Sequence, residues 1–195
     1  MHFRPNLRDI FFHLFEVLDV QHGVLGKPPF TAMDEESARA ALEGLLEMLE
    51  ASWAPSFVPG DREGVAFDGK GNVTLPASFH RALDAYYDGG WSKLEHPESL
   101  GGFGAPPSVR WAAFELLAGA NPSVCFYTLG TFITTIIDRL GTPAQRARYV
   151  RAMTEQHWGA TMVLTEPAAG SDVGAGTTRA RHVGGDEYHL EGVKR

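Results

Sequence analysis

Cysteine is nearly absent: Cys125 is the only one in 195 residues. A single thiol cannot close an intramolecular disulfide, nor supply a cysteine-ligated zinc site. A reducing compartment fits that usage, and a cytoplasmic protein is expected. Eight histidines are scattered with no H-x-x-x-H or H-x-H pair, so no metal site is expected. Basic residues are outnumbered, 17 against 24 acidic, for a formal charge of −7. The basic excess of a non-specific nucleic-acid binder is therefore missing. Neither G-x-S-x-G nor a Walker-type GK[ST] occurs. Gly102-Phe103-Gly104 opens a G-x-G, but Pro107 stands where a dinucleotide fingerprint needs its third glycine. The N-terminus has neither an apolar core nor a small-residue cleavage site, so it does not read as a secretory signal. No internal repeat is visible.

Long hydrophobic runs are also scarce. Leu116–Ile137 is uncharged over 22 residues, and a bilayer span needs about 20. Gly119-Ala120-Asn121-Pro122 interrupts it with a stop and a start signal, and four threonines dilute it. Two buried helices are expected there, not a span.

What is present is a well-filled globular composition, 44% hydrophobic and 11% aromatic. The first two-thirds reads helical. Leu7, Ile10, Phe11, Leu14, Phe15 and Leu18 recur at three- and four-residue steps and predict one apolar helix face. Asp34-Glu35-Glu36 suits the start of a second helix, faced by Ala38, Ala41, Leu42, Leu45, Leu46 and Leu49. Pro55–Val73, rich in Gly, Pro and Asp, reads as a long connection. A third helix is predicted over Pro76–Tyr87, ended by Gly89-Gly90. A loop from Pro97 to Pro107 and a fourth helix from about Ser108, with Val109, Ala112, Ala113, Leu116 and Leu117 inward, follow. Asn121 then reads as an N-cap with Pro122 at the first helical position, opening a fifth helix that runs to Gly141. Thr142-Pro143-Ala144-Gln145 is a capping box and opens a sixth.

After His157 the period changes. Trp158–Leu164 is short and rich in strand formers; Thr177–Val183 and Tyr188–Val193 alternate around a Gly184-Gly185-Asp186 turn. The expected class is α+β. An all-α domain over 1–157, its first 30 residues an extra segment, precedes the first strands of a β-domain over 158–195. Three strands cannot bury a face by themselves, so the chain is expected to be the front part of a longer protein.

Thr165-Glu166-Pro167-Ala168-Ala169-Gly170-Ser171-Asp172-Val173-Gly174 is set between strands. Proline and glycine shape a tight loop there, and small residues let backbone amides approach a ligand. Such a loop suits a phosphate or the polar edge of a ring; an ordinary β-β connection has the same composition.

Met162 through Asp172 closely resembles the flavin-binding signature of the acyl-CoA dehydrogenases. Pro97-Glu98-Ser99-Leu100-Gly101-Gly102-Phe103-Gly104 resembles that family's glycine-rich loop, Leu140 through Arg146 its "LGT-x-x-Q-[KR]" helix start, and Tyr188 through Arg195 its "y-x-l-x-G-x-K" strand. The front segment, Asn6–Leu18, is similar to a longer bacterial branch that includes broad-range fatty acyl-CoA and 3-methylmercaptopropionyl-CoA dehydrogenases. The pieces follow the family order over nearly the whole chain.

The resemblance implies an N-terminal helical domain followed by the start of a middle β-barrel, and FAD as cofactor. Met162, Val163 and Leu164 would lie against the flavin ring, and Thr165 would bond its pyrimidine edge. Gly170 and Ser171 would contact the pyrophosphate, and Ser171 would also sit near the acyl-CoA. Phe126, Tyr127, Gly130 and Thr134 are candidates for the acyl pocket, with Gly130 leaving room for the chain; a core-filling role is the alternative for each. Glu166 is read as a loop-shaping carboxylate, not the base. The implied reaction is α,β-dehydrogenation of a fatty acyl-CoA to a trans-2-enoyl-CoA, as in fatty acid β-oxidation, with an electron-transferring flavoprotein as acceptor and a homo-oligomer as the assembly. It needs a carboxylate to take the α-proton, hydrogen bonds for the enolate-like oxygen, and flavin for the hydride. The family's catalytic glutamate lies in a C-terminal domain, so no residue here is expected to be catalytic and the chain alone is expected to be inactive. Two rivals remain: an acyl-CoA oxidase passing electrons to oxygen, and a non-catalytic helical interaction module.

Overall fold

The computed structural model describes residues 2–195. The chain divides into two compact units, one ending at Ala160 and one running Thr161–Arg195.

In the first unit, helix α1 (Leu7–Phe11) starts at Asn6, whose side chain accepts from the Asp9 amide, and continues as a π-helical turn over Phe12–Val17. Ile10, Leu14 and Phe15 are buried, but Leu18 is 62% exposed. The expected face breaks there because a π turn adds a residue and slips the phase by about 100°. Asp19, in the left-handed region at φ 49°, then reverses the chain into α2 (Val20–Gly23), and Val20 is buried where Leu18 was expected.

Helix α3 (Glu35–Met48) opens on a reciprocal cap between Asp34 and Ser37. Leu42, Leu45, Leu49 and Trp53 are essentially water-free. The helix does not stop before Pro55. A π-helical turn (Leu49–Trp53) leads straight into α4 (Ala54–Glu63), which holds Pro59 in its interior. The expected connection over Pro55–Val73 is thus helical in its first half. Widening before Pro55 relieves the clash a proline ring makes with the carbonyl four residues back. The buried Trp53 indole donates to the Ala82 carbonyl at 2.6 Å and fixes that stretch against the next helix, α5 (Ala77–Asp88). Only β1 (Ala66–Phe67) and β2 (Val73–Thr74), a minimal antiparallel hairpin, remain of the expected loop.

Helix α5 (Ala77–Asp88) matches its prediction within a residue, and α6 (Pro107–Ala120) buries Val109, Ala112, Ala113, Leu116 and Leu117 as expected. Between them the chain folds back on itself: the Gly104 amide bonds the His96 carbonyl. A Cβ on Gly102 would stand 2.0 Å from that oxygen, so this close approach requires glycine.

Asn121 caps as predicted. Its side chain accepts from the Ser123 and Val124 amides and donates to Ser56, which donates to the Trp53 carbonyl. The expected fifth helix is broken, however, into α7 (Pro122–Cys125), a 3₁₀ turn (Phe126–Thr128) and α8 (Leu129–Leu140). The Thr128 hydroxyl takes the Cys125 carbonyl and tightens the turn. Asn121 also splits the long uncharged run, and no helix among the described residues is long and apolar enough to cross a membrane. The Thr142–Gln145 box opens α9 (Pro143–Gln145), which passes through a π turn into α10 (Arg151–Glu155).

In the second unit, β3 (Arg179–Gly184) and β4 (Glu187–Glu191) form an antiparallel hairpin in the register Arg179↔Glu191, His182↔Tyr188. Trp158–Leu164, expected as a strand, has no ladder partner and is irregular.

Candidate functional site

Residues 161–178 form a loop built around one carboxylate. Glu166 and Ala169 exchange backbone bonds, N to O at 2.9 Å and 3.1 Å. That closes a tight turn over Pro167 and Ala168, where proline presets φ. The turn carries the Glu166 side chain inward, where it is 4% exposed. One carboxylate oxygen accepts the Thr177 amide at 2.6 Å and its hydroxyl at 3.1 Å. The other accepts the Thr178 amide at 3.1 Å and stands 2.8 Å from the Lys194 ammonium. Lys194, then the amides, hold this carboxyl well below the usual carboxylate range. Glu166 is therefore ionised at neutral pH, with both carboxylate oxygens engaged. That chemistry suits a structural clasp and not a proton acceptor.

The turn leaves its flanks uncovered. Met162 is 70% exposed, Val163 and Leu164 about half. No hydrogen bond from an amide of Thr161–Thr165 occurs among the described residues, and the Thr165 and Ser171 hydroxyls are unengaged. Gly170 has nothing within 4 Å of the position a Cβ would take. An exposed apolar strip with free donors, beside a bare glycine and a free hydroxyl, is what a flat heteroaromatic ring and a diphosphate require. The six residues expected to hold FAD are thus accessible and chemically suited to it.

Phe126, Tyr127, Gly130 and Thr134 do not converge on one cavity. The 3₁₀ turn directs Phe126 outward, 68% exposed, and Tyr127 is exposed beside it. Gly130 and Thr134 face inward, with the Thr134 hydroxyl bonded to the Gly130 carbonyl at 2.8 Å. The space at Gly130 is already filled: a Cβ there would lie 2.6 Å from the Trp158 carbonyl. The room expected for an acyl chain at this glycine is taken by backbone. A groove of about 700 Å³ does lie along α8, but Phe132, Thr135, Ile136 and Leu140 line it, facing Phe30 and Pro97. In its wall Arg110 pairs with Glu95 at 3.0 Å, and burial raises the Glu95 carboxyl despite that partner.

Sequence reasoning missed Thr177, Thr178 and Lys194 as partners of Glu166. They lie 11, 12 and 28 residues away from it along the chain, too far for a local spacing rule.

A helical unit followed by a strand-and-loop unit, with an uncovered small-residue loop, defines an α+β region. Comparison narrows that class. Residues 66–157 match the family model "Acyl-CoA dehydrogenase, N-terminal domain". The whole chain is 44% identical to the broad-specificity linear acyl-CoA dehydrogenase FadE5 of Mycobacterium tuberculosis, covering 32% of that protein. It is 34% identical to the 3-methylmercaptopropionyl-CoA dehydrogenase of Ruegeria pomeroyi, covering 33% of it. A butyryl-CoA dehydrogenase of Syntrophomonas wolfei is 40% identical over 126 residues, 63% of this chain and 19% of that one. The chain is thus similar along its whole length to acyl-CoA dehydrogenases, and spans about a third of the length of the first two relatives.

Proposed function

We propose that this region supplies part of the flavin and thioester site of an FAD-dependent acyl-CoA dehydrogenase that converts fatty acyl-CoA to trans-2-enoyl-CoA. The observation that carries the reading is the exposed Met162–Thr165 strip ending in the Glu166-anchored turn. Met162, Val163 and Leu164 cover one area of the ring, and Thr165 bonds its pyrimidine edge. Gly170 and Ser171 meet the pyrophosphate through uncrowded backbone, and Ser171 also contacts the acyl-CoA. Phe126 and Tyr127 are assigned to the acyl chain, with Gly130 and Thr134 as the packed layer behind them. Bound FAD supplies the acceptor for the β-hydrogen as a hydride. The chain's own residues bind, orient and exclude water. Glu166 is already saturated and is not the base that takes the α-proton; by family resemblance that base belongs to a C-terminal domain. An electron-transferring flavoprotein as acceptor and a homo-oligomeric assembly complete the reading, on family resemblance.

The test is the visible spectrum of the full polypeptide that carries this region, purified from its source. Flavin bands that bleach anaerobically on adding a saturated acyl-CoA are the expected result. A protein without flavin bands, or one whose bands ignore every acyl-CoA, would sink the reading. Stoichiometric hydrogen peroxide in air would turn it into an oxidase.

A further inference from the structure

The Met162–Thr165 strip is fastened at two points among the described residues, and both are at its end. The Lys194 ammonium donates to the Leu164 carbonyl at 3.1 Å, and the Arg195 amide donates to the Thr165 carbonyl at 2.9 Å. The same ammonium is 2.8 Å from Glu166. One cation thus ties together the last residue of the apolar strip and the carboxylate that organises the turn. Glu166 passes the connection on to the Thr177 and Thr178 amides, just before β3. Lys194 reaches this place because Gly192, at φ 154°, lets the chain pass close to Thr178. A Cβ on Gly192 would stand 2.2 Å from the Thr178 hydroxyl oxygen.

We infer that Lys194 is a positioning residue for the flavin: clasped between the Glu166 carboxylate and the Leu164 carbonyl, it fixes the angle at which Leu164 and Thr165 meet the ring. The inference rests on the flavin reading above. Its physical basis is that a strip with no ladder partner is soft, whereas a charge-assisted bond to a carbonyl is strong and directional. The ammonium is two-thirds shielded and its charge is matched by a nearly buried carboxylate. Removing it would leave an unpaired anion beneath the strip. The ammonium also holds the Leu164 carbonyl on the side of the strip facing Glu166. It acts on the ring through Leu164 and Thr165, not by touching it.

The experiment uses the full polypeptide and compares wild type with K194M, K194R and E166Q. Three quantities are read: the dissociation constant for FAD, the shape of the bound flavin's visible band, and amide exchange at Thr177, Thr178 and Arg195. K194M and E166Q are expected to bind FAD roughly tenfold more weakly, with an altered band and faster exchange at the three amides. K194R, which keeps the charge and donors, is expected to recover most of the affinity and the band. The thermal transition of the FAD-free proteins, followed by helical circular dichroism, should stay unchanged in all of them. If K194M does not fold, K194Q, which keeps a donor without the charge, takes its place. Wild-type affinity and band in the neutral variants would overturn the positioning role and leave the flavin reading intact. So would a loss that K194R fails to rescue, or one that follows a collapsed helical transition. A wild-type protein that takes up no FAD would overturn the flavin reading, and this role with it.

Discussion

A few side chains at the residue scale each perform several tasks, and their removal has a calculable effect. Asn121 is fully buried, caps α7 with its carbonyl oxygen and binds Ser56 with its amide. Asn121→Ala loses the cap and the bond that Ser56 accepts, while Ser56 still donates to the Trp53 carbonyl, so unfolding in urea should show a loss of about 2 kcal/mol. The cap was legible because Asn-Pro is a local pattern; the Ser56 bond was not, because its partner lies 65 residues away. Cys125 is buried, and burial pushes its thiol up to about 11. It should therefore stay neutral and resist iodoacetamide at pH 7–8, with labelling appearing only with global unfolding by denaturant. Glu166 gives a sign in the acid range. Its carboxyl is held low in the folded state, so its contribution is complete above the ordinary carboxylate range. That contribution is lost as pH falls below that range toward the depressed value. Titration toward acid should lower the protection of the Thr177 and Thr178 amides, relative to the intrinsic exchange rate at each pH, before the helical circular dichroism changes; simultaneous loss of both would contradict the clasp.

Helices were visible at the scale of elements wherever the apolar period was regular, as in α3, α5 and α6. They were misjudged wherever the period was interrupted. The π turns at 12–17 and 49–53 and the 3₁₀ turn at 126–128 each change the residues per turn. No composition rule marks such a change. Pro55 and Pro59 suggested a break, yet α4 continues because Trp53 is anchored from α5 and holds the helix in line. The Thr142–Gln145 box is the opposite case, closed entirely within four residues at 3.2 Å and 2.8 Å. Thr142→Ala should cost about 1 kcal/mol and lower the melting temperature, whereas Thr142→Ser should be nearly silent in the same scan.

The two units differ, at the scale of the whole molecule, in what holds them. The first encloses a continuous apolar core that joins α1, α3, α5 and α6. Within Thr161–Arg195, Glu166 and Ala169 alone are buried, so an ion pair and a hairpin ladder replace a core. Amide exchange should follow that division. The amides of α3 and α6 should exchange slowest, and those of β3 and β4 faster by orders of magnitude when the region 1–195 is studied alone. Equal protection in both units would contradict it. The sequence alone determined the class, a helical region giving way to strands. It also determined the caps at Asp34, Asn121 and Thr142, the inward face of α6 and the family to which the motifs point, because all of these are local patterns of period, capping and spacing. Only the tertiary structure decided that Gly130 is filled by the backbone at Trp158, that Phe126 turns outward, and that Lys194 closes on Glu166. The first and the last depend on groups distant in sequence meeting within about 3 Å, the range in which hydrogen bonding and steric exclusion act; Phe126 turns on a local 3₁₀ turn that no period or capping pattern marks.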